Sequence, residues 1–333
     1  MTGPVFLAVD GGNSKTDVVL GTATGVVLAF VRGPGSSPHE HGVPAAIDLL
    51  DVLVAATRSA AGRPGDAVVD RAEIYLAGAD LPVEVDVLMR EVGQAGWAKE
   101  YRVDNDTFAL LRAGTDNPDA VAVVCGAGIN CVGRAADGNT ARFQSLGQVS
   151  GDWGGGHHLA AMALWHAARG EDGRGPGTAL TVAVARHCGQ STIEDVSAGV
   201  HLGDIPRERV DELAAVLFAV AASGDPVARR VVARQAEEIV SLATVAAGRL
   251  GLLDRAYAVV LGGGVLRARH PLLEDTVRAG IAARSPHAEI SVVAHPPVIG
   301  AALLALDALG APPSAAGALR AALTAATPRP VRE

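Results

Sequence analysis

The chain has 333 residues, 49% of them hydrophobic, and a formal net charge of −8, which is length and apolar content enough for two domains with large cores. The acidic balance and the lack of any Lys/Arg cluster exclude a nucleic-acid footprint of the usual kind. No apolar run reaches the ~20 residues of a membrane span, and no basic segment with an apolar core opens the chain, so a cytoplasmic protein without membrane partners is expected. Three cysteines, Cys125, Cys131 and Cys188, form no C-x-x-C pair and read as buried thiols in a reducing compartment.

In chain order, the apolar run Val5-Phe6-Leu7-Ala8-Val9 ends in Asp10-Gly11-Gly12-Asn13-Ser14-Lys15-Thr16-Asp17 and resumes as Val18-Val19-Leu20, which reads as strand, glycine turn, strand. Residues 26–31 make a third strand, and the cluster Gly33-Pro34-Gly35-Ser36-Ser37-Pro38 breaks it before a helix over about 43–61. A strand at 72–77, a helix at 82–95, a strand at 101–103 and a helix opening at Thr107 complete the order βββαβαβα. The second half starts again in the same way. Residues 120–125 are a buried strand, Gly126-Ala127-Gly128-Ile129-Asn130 is its turn, and Cys131-Val132-Gly133-Arg134 resumes as strand, an internal repeat of the first hairpin. A strand near 142–146 follows, then a Gly-rich loop at 147–156 opening a helix to about Arg169. Residues 177–251 are patterned as helices. A strand at 257–261 ends in Gly262-Gly263-Gly264, followed by a helix at 265–283, a strand at 290–294 and a helix at 298–309; residues 311–333 read as a short helix and a frayed tail.

A carboxylate at the end of a buried strand, followed by glycines and hydroxyl side chains, offers backbone N–H groups to an anion and places Asp10 where Mg²⁺ could bind. An ordinary hairpin with a Gly-Gly turn is the competing reading. Gly126-x-Gly128 after a strand suggests a dinucleotide fingerprint, but its third glycine is missing and the turn leads into a strand. Asp106, between a short strand and a helix, is placed either as a catalytic carboxylate or as a helix N-cap, with Asp104 as its neighbour and competitor. Asp152, among Gly151, Gly154, Gly155 and Gly156, carries the same two alternatives, ligand or cap. His157 and His158 are adjacent, hence on different helix faces, and do not read as a metal pair.

The segments Asp10-Gly11-Gly12-Asn13-Ser14-Lys15-Thr16, Asn105-Asp106, Gly126-Ala127-Gly128-Ile129-Asn130, Gly151-Asp152-Trp153-Gly154, Gly262-Gly263-Gly264 and Pro297-Val298-Ile299-Gly300-Ala301-Ala302, in this order and spacing, resemble the BadF/BadG/BcrA/BcrD group of the actin-like ATPase and sugar-kinase superfamily. The resemblance covers about residues 5–310 and is strongest to the N-acetylglucosamine kinase branch. It implies an α/β fold of two ribonuclease H-like (actin-like) βββαβαβα domains around a nucleotide cleft, with a helical insertion over about 177–251. The first domain is expected over 1–118, to which a C-terminal helix at 313–327 can return, and the second over 119–312, with 328–333 as tail. The implied activity is ATP-dependent phosphorylation of a hexosamine hydroxyl, with ATP and Mg²⁺ as cofactors and the sugar and ATP as partners; a homodimer is expected.

By the same resemblance Asp10 handles the metal; Gly11, Gly12, Asn13, Ser14, Lys15 and Thr16, with Gly126, Ala127 and Gly128, hold phosphates; and Gly262, Gly263 and Gly264 lie against the adenosine. Asp106 is the base, and Ser37, Gly78, Asn105, Asn130 and Asp152 join it at the sugar. The chain departs from the family at Ser37, where Asn is usual, at Trp153, where Glu is usual, and at Leu146-Gly147-Gln148-Val149, where Gly-Gly-Trp-Gly is usual. An altered acceptor pocket follows from these changes. An activator ATPase with an iron–sulfur cluster would need cysteines at a subunit interface, which the Cys125 to Cys131 spacing inside a hairpin does not supply. A non-catalytic regulator is disfavoured by the presence of Asp10 and Asp106 and by the lack of a DNA-binding helix pair before Asp10, and the zinc-binding cysteine cluster of the other common bacterial sugar-kinase group is absent.

Overall fold

The run VFLAVDG forms strand β1 (Val5–Gly11) and is buried at all seven positions, as expected of a central strand covered on both faces. The computed structural model describes residues 3–63, 65 and 68–331. After β1 come β2 (Thr16–Thr22), β3 (Val27–Gly33), a one-turn helix α1 (Pro38–His41), α2 (Val43–Ala60), β4 (Val69–Leu76), α3 (Pro82–Ala95), β5 (Ala98–Asn105) and α4 (Asp106–Gly114). Helix α2 buries Ala46, Leu50, Leu53, Val54 and Thr57, one stripe at helical spacing.

The chain continues through β6 (Ala120–Cys125), β7 (Ile129–Arg134), β8 (Thr140–Arg142), a 3₁₀ turn (Gly147–Ser150), α5 (Gly156–Glu171), α6 (Leu180–His187), α7 (Ile193–Leu202), α8 (Arg207–Asp211), α9 (Leu213–Ala222) and α10 (Pro226–Arg249). It then forms β9 (Tyr257–Gly262), α11 (Gly264–Arg267), α12 (Pro271–Arg284), β10 (Ala288–Val292), α13 (Pro297–Ala308), α14 (Pro313–Ala325) and β11 (Arg329–Pro330). No helix among the described residues is long and apolar enough to cross a membrane.

The chain divides into two units, residues 1–122 with 293–333, and residues 123–292. The first is built on a six-stranded sheet in the order β11-β3-β2-β1-β4-β5. Strands β1, β2 and β3 are antiparallel, with Asp10 opposite Asp17, while β4 and β5 add in parallel on the other side of β1. The second unit holds a five-stranded sheet, β10-β9-β6-β7-β8, with β10 parallel to β9.

Four expectations are corrected. The helix at 298–309, which the repeat assigns to the second domain, is α13 and belongs to the first unit, where it packs on β1 and α4. Its glycine is the reason: a Cβ on Gly300 would collide with the backbone of Ala109 in α4, so α13 sits closer to α4 than side chains permit. Arg112, buried in α4, adds a two-pronged ion pair by donating from Nε to Asp307 Oδ2 at 2.7 Å and from Nη2 to Oδ1 at 3.1 Å. The expected helix at 265–283 is broken between α11 and α12, because Pro271 requires His270 to be extended and Arg269 adopts φ 54°. The strand expected at 142–146 lies earlier, at β8, because Ser145 adopts φ 55°. The tail is not wholly frayed: Arg329 and Pro330 pair in parallel with Val31 and Arg32 of β3, while residues 332 and 333 lie outside the described residues.

Gly300→Ala is therefore expected to destabilise the first unit by about 1–3 kcal/mol, the usual cost of overpacking a filled core. Urea denaturation checks it, and an unchanged midpoint would show that α13 can withdraw from α4 without loss.

Candidate active site

Each unit carries one cluster of the residues singled out above. In the first unit, the β1–β2 turn closes with Gly12 N–H donating to Lys15 O at 2.9 Å. Asn13, Ser14 and Lys15 form its exposed tip. The segment after β3 folds down onto this turn. Ser36 N–H donates to Gly12 O at 3.1 Å, and a Cβ on Gly35 would overlap the carbonyl of Asn13. Gly11 faces Ser36 and Leu76 just as tightly.

Thr16 does not join the exposed tip. It points inward from β2, fully buried, and donates from Oγ1 to Ser36 Oγ at 2.8 Å, so its hydroxyl fastens the turn to the next loop. Ser37 is also buried, at 1% exposure. Gly78, buried and at φ +83°, lies under the ring of His39, which a Cβ would meet at 3.1 Å.

Asp10 is 8% exposed. Burial first, then the charges of Asp106 and Asp17, push its carboxyl up to about 8, against the pull of Lys15 and Arg32. Asp17 is neutralised locally, since Arg32 donates from Nε to Oδ1 at 2.6 Å and from Nη2 to Oδ2 at 2.8 Å. The Lys15 ammonium that also pulls on Asp10 is 45% exposed and lies 3.4 Å from Asp17. A buried, oxygen-only donor in acidic surroundings suits a hard divalent cation, which would supply the missing positive charge and return Asp10 to its ionised form.

Asp106 is the first residue of α4 and not its cap. Asn105 takes that position, with Oδ1 accepting from Thr107 N–H at 3.0 Å. Burial pushes the Asp106 carboxyl up to about 6, with hydrogen bonds from Thr107 pulling it down. The competitor Asp104 is 6% exposed, accepts from Arg102 Nη2 at 2.9 Å and from Asn105 N–H at 2.8 Å, so it is engaged in a local ion pair. Asn105, expected at the sugar, also donates from Nδ2 to Asp80 Oδ1 at 2.8 Å. It works here as the strut that holds Asp80 and the start of α4 together.

In the second unit three glycine segments meet backbone to backbone. The turn after β6 closes with Gly126 N–H donating to Gly128 O at 2.9 Å, and the first turn of α5 docks on it as Gly156 and His157 N–H donate to Gly126 O and Ala127 O at 2.7 and 3.0 Å. Gly155, at φ +86°, lies against Gly128, where a Cβ would stand 2.6 Å from its backbone. Gly263, at φ +88°, lies equally close to Cys125 and Gly126. Segments 126–128 and 262–264, assigned to different parts of the nucleotide, are thus one continuous patch, with Ala127, Gly128 and Gly264 exposed.

Gln235 of α10, fully buried, accepts from Gly155 N–H through Oε1 at 2.9 Å and fills the space that a side chain at Gly154 would need. Sequence reading missed it, because a Gln within an amphipathic helix carries no local signal. Asp152 is not a cap either, since Gly155 precedes α5. Its Oδ2 accepts from Gly147 N–H at 3.0 Å and from Ser150 Oγ at 2.6 Å, which folds its loop back on itself. Asn130 Oδ1 accepts from Cys131 N–H at 2.6 Å and from the hydroxyl of Ser145. Trp153 has the guanidinium of Arg234 at 5.6 Å and the ring of His158 at 4.6 Å from its ring centroid.

The sequence profile of the BadF/BadG/BcrA/BcrD ATPase family matches residues 7–305. An N-acetyl-D-glucosamine kinase of Dictyostelium discoideum is 26% identical over 321 residues, covering 92% of this chain and 99% of the relative. An N-acetylmuramic acid/N-acetylglucosamine kinase of Clostridium acetobutylicum is 24% identical over 305 residues, covering 90% and 97%. Among solved structures, a candidate N-acetylglucosamine kinase from Chromobacterium violaceum superposes with a TM-score of 0.71 at 22% identity, covering 91% of this chain and 99% of that one. A glucokinase of the ROK family from Streptomyces griseus, solved with glucose and AMPPNP, gives a TM-score of 0.57 at 16% identity, covering 91% and 99%. The fold is accordingly of the sugar-kinase type, mixed α/β with two sheets.

Proposed function

The chain belongs to the BadF/BadG/BcrA/BcrD ATPase family, and on that premise we propose that it is an ATP-dependent sugar kinase, transferring the γ-phosphoryl group to a hydroxyl, in our reading the 6-hydroxyl, of N-acetylglucosamine or a related hexosamine. The observation that carries the reading is the pair of carboxylates in the first unit. Asp106 stands at the start of α4, relieved of capping by Asn105, and is pushed up to about 6. Asp10, buried at the end of β1, lacks a full counter-charge. A base and a cation holder are the two acidic functions that phosphoryl transfer to an alcohol needs.

In this reading Asp106 accepts the proton of the acceptor hydroxyl, and the backbone of the Asn13, Ser14 and Lys15 tip faces the transferred phosphate. The patch formed by Gly126, Ala127, Gly128 and Gly264 takes the rest of the nucleotide, and Asn130 and Asp152 contact the sugar. Asp10 would hold Mg²⁺, which when bound neutralises phosphate charge. We read the two units as actin-like domains, with helices 177–251 as an insertion in the second, and the protein as a cytoplasmic homodimer. The activator reading loses ground because Cys125 and Cys131 are buried within the second hairpin.

The test is ATP consumption against N-acetylglucosamine, N-acetylmuramic acid, glucosamine and glucose. With Ser37 and Trp153 in place of the usual residues, the two N-acetylated sugars are expected to be turned over with kcat/KM within about tenfold of each other. A sharp preference for N-acetylglucosamine alone would remove the broader-acceptor reading, and no consumption with any sugar would remove the kinase.

A further inference from the structure

Gln235 of α10 is fully buried, at a place where an apolar side chain is the usual occupant. Its amide is only half satisfied. Oε1 accepts from Gly155 N–H at 2.9 Å, while Nε2 is buried and meets no acceptor among the described residues. The amide cannot turn over to improve this, because its nitrogen would then face the Gly155 N–H, donor against donor. It lies directly on Gly154, whose added Cβ would stand 2.3 Å from Oε1 and 2.6 Å from Nε2. A buried donor left unpaired costs stability, so stability alone does not favour Gln here over an apolar side chain of the same length.

Given the nucleotide reading proposed above, we infer that Gln235 is a positioning residue for the nucleotide patch: by holding Gly155 it keeps the N–H groups of Ala127 and Gly128 turned outward, toward the phosphates. Peptide geometry carries this. Gly156 N–H and His157 N–H, which follow Gly155 directly, donate to Gly126 O at 2.7 Å and to Ala127 O at 3.0 Å, so both carbonyls point into the start of α5. The peptides are trans, and in a planar trans peptide the N–H lies opposite the C=O. The N–H groups of Ala127 and Gly128 therefore point away from α5, at two residues that are themselves exposed. Neighbouring outward N–H groups make a concave donor pair for an anion. Turned the other way, the same peptides would offer carbonyl oxygens and repel it.

Gly155 decides which way they turn. At φ +86° it sits so close to the 126–128 turn that a Cβ would stand 2.6 Å from the backbone of Gly128. Its N–H has two acceptors in reach, Gln235 Oε1 and the Cys125 thiol, of which the thiol is the weak one. Without Oε1 the first turn of α5 is free to withdraw from the two carbonyls, and the outward orientation of the peptides is lost.

Gln235→Met keeps the length of the side chain and removes its oxygen, and calorimetric titration with Mg²⁺–ATP in the absence of sugar reads the result. The Kd is expected to rise about tenfold or more, and in kinase assays the KM for ATP should rise by more than kcat falls. The urea midpoint should stay near that of the parent, because the unpaired Nε2 leaves together with Oε1; a Gln of purely structural role would lose stability and keep its Kd. Hydrogen exchange on the parent needs no variant: the amides of Gly155, Gly156 and His157 should exchange slowly before any nucleotide is added. An unchanged Kd in Gln235→Met, or fast exchange at these three amides in the parent, would overturn the positioning role and leave the kinase reading standing. A parent that does not bind Mg²⁺–ATP would remove the nucleotide reading, and the role of Gln235 with it.

Discussion

Asp106→Asn is expected to lower kcat by about 10²–10⁴, the usual loss when a general base is removed, with ATP affinity little changed and the fold intact. The structure sharpens this expectation. Had Asp106 capped α4, part of any loss could have been ascribed to the start of the helix. Asn105 is the cap, so the Asp106 carboxylate is not needed to start the helix, and any large loss belongs to the chemistry. A base must be ionised to act, and burial lifts Asp106 to about 6, so turnover should rise with pH through that value. Single-turnover kinetics across pH 5–8 checks both statements. Near-normal turnover of Asp106→Asn, with Asp104→Asn inactive, would move the base to the residue that here pairs with Arg102.

What could be read from the sequence was local. Alternation and apolar runs located β1, β2 and β6, and glycine pairs located the turns, because a strand buried on both faces and a turn against another backbone leave marks within a few residues. The capping question was undecidable at that level: Asn105 and Asp106 are equally good N-caps by type, and only the backbone assigns the role. The placement of α13 was misread because an apolar helix does not record which sheet it covers. Gly300 did hold the clue, as a glycine inside an otherwise strong helix marks close approach, but not the identity of the neighbour. The burial of Thr16 left no local mark either. Its exposure depends on the inward side of β2 and on Ser36, twenty positions away in the chain. Gln235 and Gly155 lie 80 positions apart and have no spacing by which a linear motif could join them.

The second large effect is expected at Asp10, and it separates stability from activity. A carboxyl whose folded value is raised, from 3.8 to about 8, stabilises the fold fully below the unfolded value and loses that contribution as pH rises through the folded one. Asp106 adds the same trend, ending near 6. Without divalent metal, the protein should therefore lose several kcal/mol between about pH 4 and pH 8 from these two groups, as order of magnitude. Mg²⁺ should restore stability increasingly toward high pH, because it binds the ionised carboxylate and competes with the proton. Asp10→Asn removes the buried charge, so at pH 8 the metal-free variant should melt roughly 5 °C or more above the metal-free parent, lose the Mg²⁺ response and lose turnover. Thermal melts at pH 5 and pH 8, with Mg²⁺ and with a chelator, supply the comparison. If Asp10→Asn melts lower than the parent at pH 8 without metal, Asp10 is held by a counter-charge in the folded protein, and its role as cation holder falls with that result.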